Sequence, residues 1–124
     1  MILIIGGAYQ GKLDYVLENY KTKSVFQCRD DNIDIDLSAD IINSLHLVVL
    51  AQIRAGIDTF AWISAILPEL KNKILICDDI FCGVVPVERE ARTWRETMGR
   101  SLTLLSKNAD EIIRVFCGIG SRIK

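Results

Sequence analysis

Seven residues near the amino terminus, Gly6-Gly7-Ala8-Tyr9-Gln10-Gly11-Lys12, have the types and spacing of a phosphate cradle. Holding a phosphate takes several converging donors and a local positive field. A glycine-rich turn that opens a helix supplies both, because its backbone N–H groups aim inward and the helix dipole adds partial positive charge. Gly6 and Gly11 allow backbone angles that side chains forbid, and Lys12 has the reach for the β and γ phosphates of a nucleotide. The pattern Gly-x-x-x-x-Gly-Lys also arises by chance, and the competing account is a glycine-rich turn with a surface lysine. Its setting, between an apolar run and a helical pattern, favours the cradle. One position departs from it. Leu13 stands where Ser or Thr would offer Mg²⁺ a hydroxyl. Phosphate binding survives on the backbone and Lys12, whereas metal positioning, and with it phosphoryl transfer, loses a ligand.

A magnesium–nucleotide site draws a carboxylate from the carboxyl end of a neighbouring strand. Asp78 and Asp79 follow the apolar Ile74-Leu75-Ile76-Cys77 and stand where that group is needed. Adjacent residues at a strand end point in different directions. One serves Mg²⁺ or a substrate hydroxyl while the other caps the loop; turn formation alone is the alternative. Asn43 is a further polar candidate at the same edge. His46, the only histidine, opens the apolar helix Leu45-His46-Leu47-Val48-Val49, where a structural role competes with a catalytic one. Arg92, Arg95 and Arg100 share one long helix. Most of these are solvated, and Arg100 is the candidate for meeting phosphate or a neighbouring subunit.

The elements that must position these residues follow from periodicity. Ile2 to Ile5 reads as a strand buried on both faces, and Leu13, Val16, Leu17 and Tyr20 as the face of a helix that begins at Lys12. Ser24 to Cys28 and Asp40 to Asn43 are expected as short strands, with an acidic loop from Arg29 to Asp36 between them. A helix is expected from Leu45 to Ala55, closed by Gly56. Asp58 caps another through Trp62 to Leu67, which Pro68 stops. Lys73 to Cys77 is the next strand. After a loop, Pro86 opens a long amphipathic helix with Ala91, Trp94, Met98, Leu102 and Leu105 toward the core. Ile112 to Cys117 is expected to be the last strand. Alternating strands and helices predict an α/β fold with a mostly parallel sheet, wound right-handed.

With 124 residues the chain fits one domain spanning 1–124, large enough to bury a core without staples. A net charge of -1 and dispersed Lys and Arg argue against a nucleic-acid partner. The apolar amino terminus is too short for a signal peptide or a membrane span, so a cytoplasmic protein is expected. Cys28, Cys77, Cys82 and Cys117 form no Cys-x-x-Cys pair, and small buried hydrophobes account for them better than zinc or disulfides. Cys82 is the exception, in a loop near the expected site.

Two separated segments resemble the adenosylcobinamide kinase/adenosylcobinamide-phosphate guanylyltransferase family. The first runs from Ile4-Ile5-Gly6-Gly7-Ala8 through Gly11-Lys12. The second begins at Ile74-Leu75-Ile76-Cys77-Asp78-Asp79 and continues through Gly83-Val84-Val85-Pro86, Arg95, Gly99-Arg100 and Ala109-Asp110-Glu111. It ends at Cys117-Gly118-Ile119-Gly120 with Ile123-Lys124. The resemblance implies a RecA-like P-loop fold of three layers, binding of ATP or GTP with Mg²⁺, a corrinoid substrate and assembly into a homo-oligomer. It implies phosphorylation of the aminopropanol arm of adenosylcobinamide, with Lys12 and the loop Gly6–Leu13 on the nucleotide and Asp79, supported by Asp78, on the substrate hydroxyl or the metal.

The chain also departs from that family. Asp78-Asp79 replace an Asn-Glu pair, Phe81 a loop glycine and Leu102 an asparagine. The region that carries the histidine accepting GMP is missing between the second strand and Leu45. His46 aligns with a threonine and Asn43 with an acidic strand end, so the guanylylated-histidine role is not carried onto His46. A kinase of corrinoid salvage is the leading expectation. A nucleotide-binding accessory protein without turnover, favoured by Leu13, is the second, and a kinase for an unrelated small alcohol the third.

Overall fold

Ile2-Leu3-Ile4-Ile5 offers no polar face to water, so a strand made of it must be covered on both sides. In the computed structural model, which describes residues 1–22 and 24–124, this run forms β1 (Ile2–Gly6) in the interior of the sheet. It is followed by α1 (Lys12–Asn19), β2 (Val25–Gln27), β3 (Ile41–Asn43), α2 (Leu45–Arg54) and α3 (Thr59–Ile66). A 3₁₀ turn (Leu67–Leu70) leads to β4 (Ile74–Asp78), α4 (Arg89–Asn108), β5 (Glu111–Phe116) and β6 (Ile119–Arg122). The sheet order is β2-β3-β4-β1-β5-β6, parallel throughout except for β6, which runs antiparallel to β5.

Alternation along the strands divides the core in two. Leu3, Ile42, Leu75, Cys77 and Ile112 meet Val48, Val49, Ile63, Met98, Leu102 and Leu105 from α2, α3 and α4. Ile4, Ile41, Ile76, Ile113 and Val115 meet Val16 and the half-buried Leu13, Leu17 and Tyr20 of α1. Among the described residues the result is three layers, with one short helix on one face and three helices on the other. Leu75 is fully buried on a central strand, and Leu75→Ala is expected to cost roughly 2–5 kcal/mol of stability in urea unfolding.

Three boundaries differ from the sequence-based expectation. The long helix starts at Arg89, not Pro86. Glu88 at its N-cap is extended, and the preceding loop is held out of the helix by arginines from the first turns. Arg95 donates to the carbonyls of Gly83 and Val84 (2.8 and 2.7 Å), and Arg92 to those of Pro86 and Val87. The helix capped by Asp58 stops before Pro68 as expected, at Ile66 rather than Leu67, and an unforeseen 3₁₀ turn follows, with Pro68 in its first turn where no N–H is required. The expected last strand is followed by another: Cys117 and Gly118 turn the chain back and β6 pairs along β5.

Of the four free cysteines, Cys28 and Cys77 are buried as expected, whereas Cys117 joins Cys82 in being exposed, because it sits in that turn. Ala91 and Trp94 are half-buried, and Met98, Leu102 and Leu105 carry the buried face of α4. Among the described residues, no helix is long and apolar enough to cross a membrane.

Candidate functional site

The chain leaves β1 toward α1 on one face and leaves the adjacent β4 toward α4 on the other. A crevice opens where such connections diverge at the carboxyl ends of strands. Gly6 ends β1 with φ +157°, and a Cβ there would lie 2.3 Å from the Val115 carbonyl oxygen. Only glycine fits. Gly6→Ala is expected to push β1 and β5 apart at this end and to cost about 1–3 kcal/mol, read as a lower denaturation midpoint. From Gly6 the loop passes through the exposed Tyr9, at φ 58°, and reaches Gly11, the left-handed N-cap of α1. Glycine at the N-cap has no side chain with which to bond the first N–H groups of this helix.

Lys12, the first residue of α1, is buried. Its Nζ donates to the Gly7 carbonyl oxygen (2.6 Å) and pairs with Asp78 Oδ1 (2.7 Å), which brings the ammonium group inside the curve of the loop. Asp78 ends β4 directly beside Gly6 in the parallel register. Its other oxygen lies 3.4 Å from His46 Nε2, while its own N–H donates to His46 Nδ1 (3.1 Å). Nδ1 is therefore the acceptor nitrogen, and the ring proton sits on Nε2, facing the carboxylate. Burial pushes the His46 pKa below its usual value, Asp78 opposes the shift and Lys12 adds to it. Trp94 Nε1 donates to the His46 carbonyl oxygen (2.7 Å) and fixes the start of α2 against α4. His46 thus stands one carboxylate away from the lysine.

Asp79 is placed differently. Its N–H donates to the Gly6 carbonyl oxygen (3.0 Å), its Oδ1 borders the space beside Gly7, and its Oδ2 lies 3.8 Å from an Arg114 guanidinium nitrogen. Arg114 was not among the sequence candidates. The signal for it is a charged residue interrupting Ile112-Ile113-Arg114-Val115, a strand otherwise suited to burial.

Three candidates stand apart or serve otherwise. Asn43 donates to Gln27 Oε1 (2.6 Å) on the edge-ward side of β3. Arg100 pairs with Glu96 (3.2 Å) and lines a separate cavity with Thr59 and Phe60. Leu13 turns into the sheet-facing cluster with Ile4 and Ile76, so the position after the lysine belongs to the core.

The residues brought together are therefore Gly6 to Lys12, Asp78, Asp79, His46 and Arg114. A buried ammonium and a helix start with glycine at its N-cap lie side by side here, and anion sites are built from such parts. As donors for a divalent cation the site offers two carboxylates, one engaged by Lys12 and one near Arg114. No group of three His, Cys, Asp or Glu side chains among the described residues could hold a metal alone. No known family model matches the chain, and no curated protein is significantly similar to it.

Proposed function

We propose that the protein binds ATP or GTP on a P-loop of RecA-like type and transfers the terminal phosphoryl group to the aminopropanol hydroxyl of adenosylcobinamide. The observation that carries this reading is the buried Lys12 ammonium, held inside the loop by Gly7 and Asp78 where the triphosphate would lie. On arrival of the nucleotide, Lys12 exchanges Asp78 for phosphate oxygens, and the loop N–H groups take the remainder. Asp79, anchored to the loop through Gly6, accepts the hydroxyl proton as the substrate oxygen bonds to the γ phosphorus and the β–γ bridging oxygen departs with the nucleoside diphosphate. A magnesium ion carried by the nucleotide would neutralise phosphate charge, with Asp79 and Asp78 as the carboxylates available to it. The same resemblance makes a homo-oligomer part of the proposal.

The test is incubation of the purified protein with γ-labelled ATP or GTP, Mg²⁺ and adenosylcobinamide. Label is expected on the corrinoid, and absence of nucleotide binding would overturn the reading. A second reading, a nucleotide-binding accessory protein of the same pathway, is favoured by the core position of Leu13, which denies the metal a hydroxyl. Binding without turnover is its signature.

A further inference from the structure

The β5–β6 connection consists of two residues, Cys117 and Gly118, both at positive φ (50° and 76°) between the paired Phe116 and Ile119. Positive φ at both central positions is what a two-residue hairpin turn of type I′ requires. Cysteine is an uncommon choice there, since a side chain disfavours that region. Both N–H groups of the turn are spent on a single residue of the phosphate loop. Cys117 N donates to Gln10 Oε1 (2.8 Å) and Gly118 N to the Gln10 carbonyl oxygen (2.8 Å). Gly11 passes close by, so that a Cβ on it would lie 3.5 Å from Gly118 Cα. One strand residue further, Gly120 leaves the room that the Tyr15 ring of α1 occupies.

We propose that the β5–β6 hairpin is a clamp that presets the phosphate loop and the start of α1, with Gln10 as its positioning residue. The inference rests on the nucleotide reading above. A loop whose N–H groups must converge on an anion binds more tightly when it is ordered beforehand. Within the loop, Lys12 Nζ holds the Gly7 carbonyl (2.6 Å) and Gln10 Nε2 donates to the Ala8 carbonyl (3.5 Å); the turn adds two bonds from outside, both onto Gln10. The Gln10 amide bridges the two, its Oε1 accepting from the turn and its Nε2 donating to the Ala8 carbonyl, and so it acts through the backbone it holds.

Hydrogen exchange and titration with ATP and inorganic pyrophosphate test the clamp on the full chain. In Gln10→Ala, exchange is expected to quicken at least tenfold at Cys117 and across Ala8 to Gly11, and the affinity for both anions to fall about tenfold. The global unfolding midpoint should hold. Gln10→Glu keeps the acceptor oxygen and should restore slow exchange at Cys117; Gly118→Ala, which strains the turn without touching the loop sequence, should loosen the loop as Gln10→Ala does. Unchanged exchange in Gln10→Ala overturns the clamp, as does faster exchange with unaltered affinity. A wild type that binds neither anion sinks the nucleotide reading instead, and the exchange contrast then decides the clamp by itself.

Discussion

Lys12→Met is expected to weaken ATP or GTP binding at least about 100-fold in calorimetric titration while the protein stays folded. The ammonium is buried, so its bonds to phosphate would form in a site largely shielded from water, where charge-assisted hydrogen bonds are worth about 1.5–3 kcal/mol each. Losing about 2.7 kcal/mol corresponds to that factor of 100. Methionine keeps much of the aliphatic stem and its packing. The cost to folding is smaller, because Asp78 is a quarter exposed and can recover water when its partner goes. Binding equal to that of the wild type would sink the phosphate-cradle assignment.

Asp79→Asn separates binding from chemistry. Asparagine has the shape of aspartate and leaves the Asp79 N–H bond to Gly6 intact, so the loop should keep its form. What disappears is the carboxylate that would take the hydroxyl proton or meet the metal. Phosphoryl transfer to the corrinoid is expected to fall by a factor on the order of 100 to 10,000, the usual range for a general base. Nucleotide affinity should change by only a few-fold. Undiminished transfer would remove Asp79 from the reaction and leave Asp78 as the remaining carboxylate.

These two residues were visible in the sequence because each sits at a break in a strong pattern. The runs ending at Gly6 and Asp78 have no polar interruption, so only buried central strands suit them, and the carboxyl ends of such strands are where a crevice forms. The parallel pairing of Gly6 with Asp78 is the structural expression of that reading. The capped helix at Asp58 was equally plain, and its carboxylate accepts the Ala61 N–H (3.1 Å).

Other features depend on contacts between distant residues, which local pattern does not encode. Pro86 has the local properties of a helix start, yet Arg92 and Arg95 hold that segment as a loop by taking its carbonyls. Ile119-Gly120-Ser121-Arg122 has too little apolar alternation to be read as a strand, and it pairs because a two-residue turn delivers it to β5. Gln10 was expected only as one of the residues of the nucleotide loop, and its bond to the β5–β6 turn spans 107 positions; Arg114 was not among the candidates, and its approach to Asp79 joins two different strands' ends. The same effect bears on the segments that resemble the corrinoid kinases. Gly83 to Pro86 is the arginine-held loop, Asp110 binds the amino-terminal nitrogen (2.6 Å) and Cys117 to Gly120 make the turn and the edge strand. Each has a structural use in this chain, separate from any chemistry.

The distribution of the thiols gives the molecule two natural points of attachment for a reporter. Cys28 and Cys77 are buried, and burial pushes Cys28 up to about 12 and Cys77 higher still, so neither offers a thiolate to a labelling reagent near neutral pH. Cys82 follows β4 and Cys117 follows β5, so the two accessible sulfurs flank the strand that leads into the glycine-rich loop. A dye pair placed there in the unmutated protein would register any change in the spacing of the two loops as a change in energy transfer, so adding ATP or GTP to it would show directly whether the proposed nucleotide moves them.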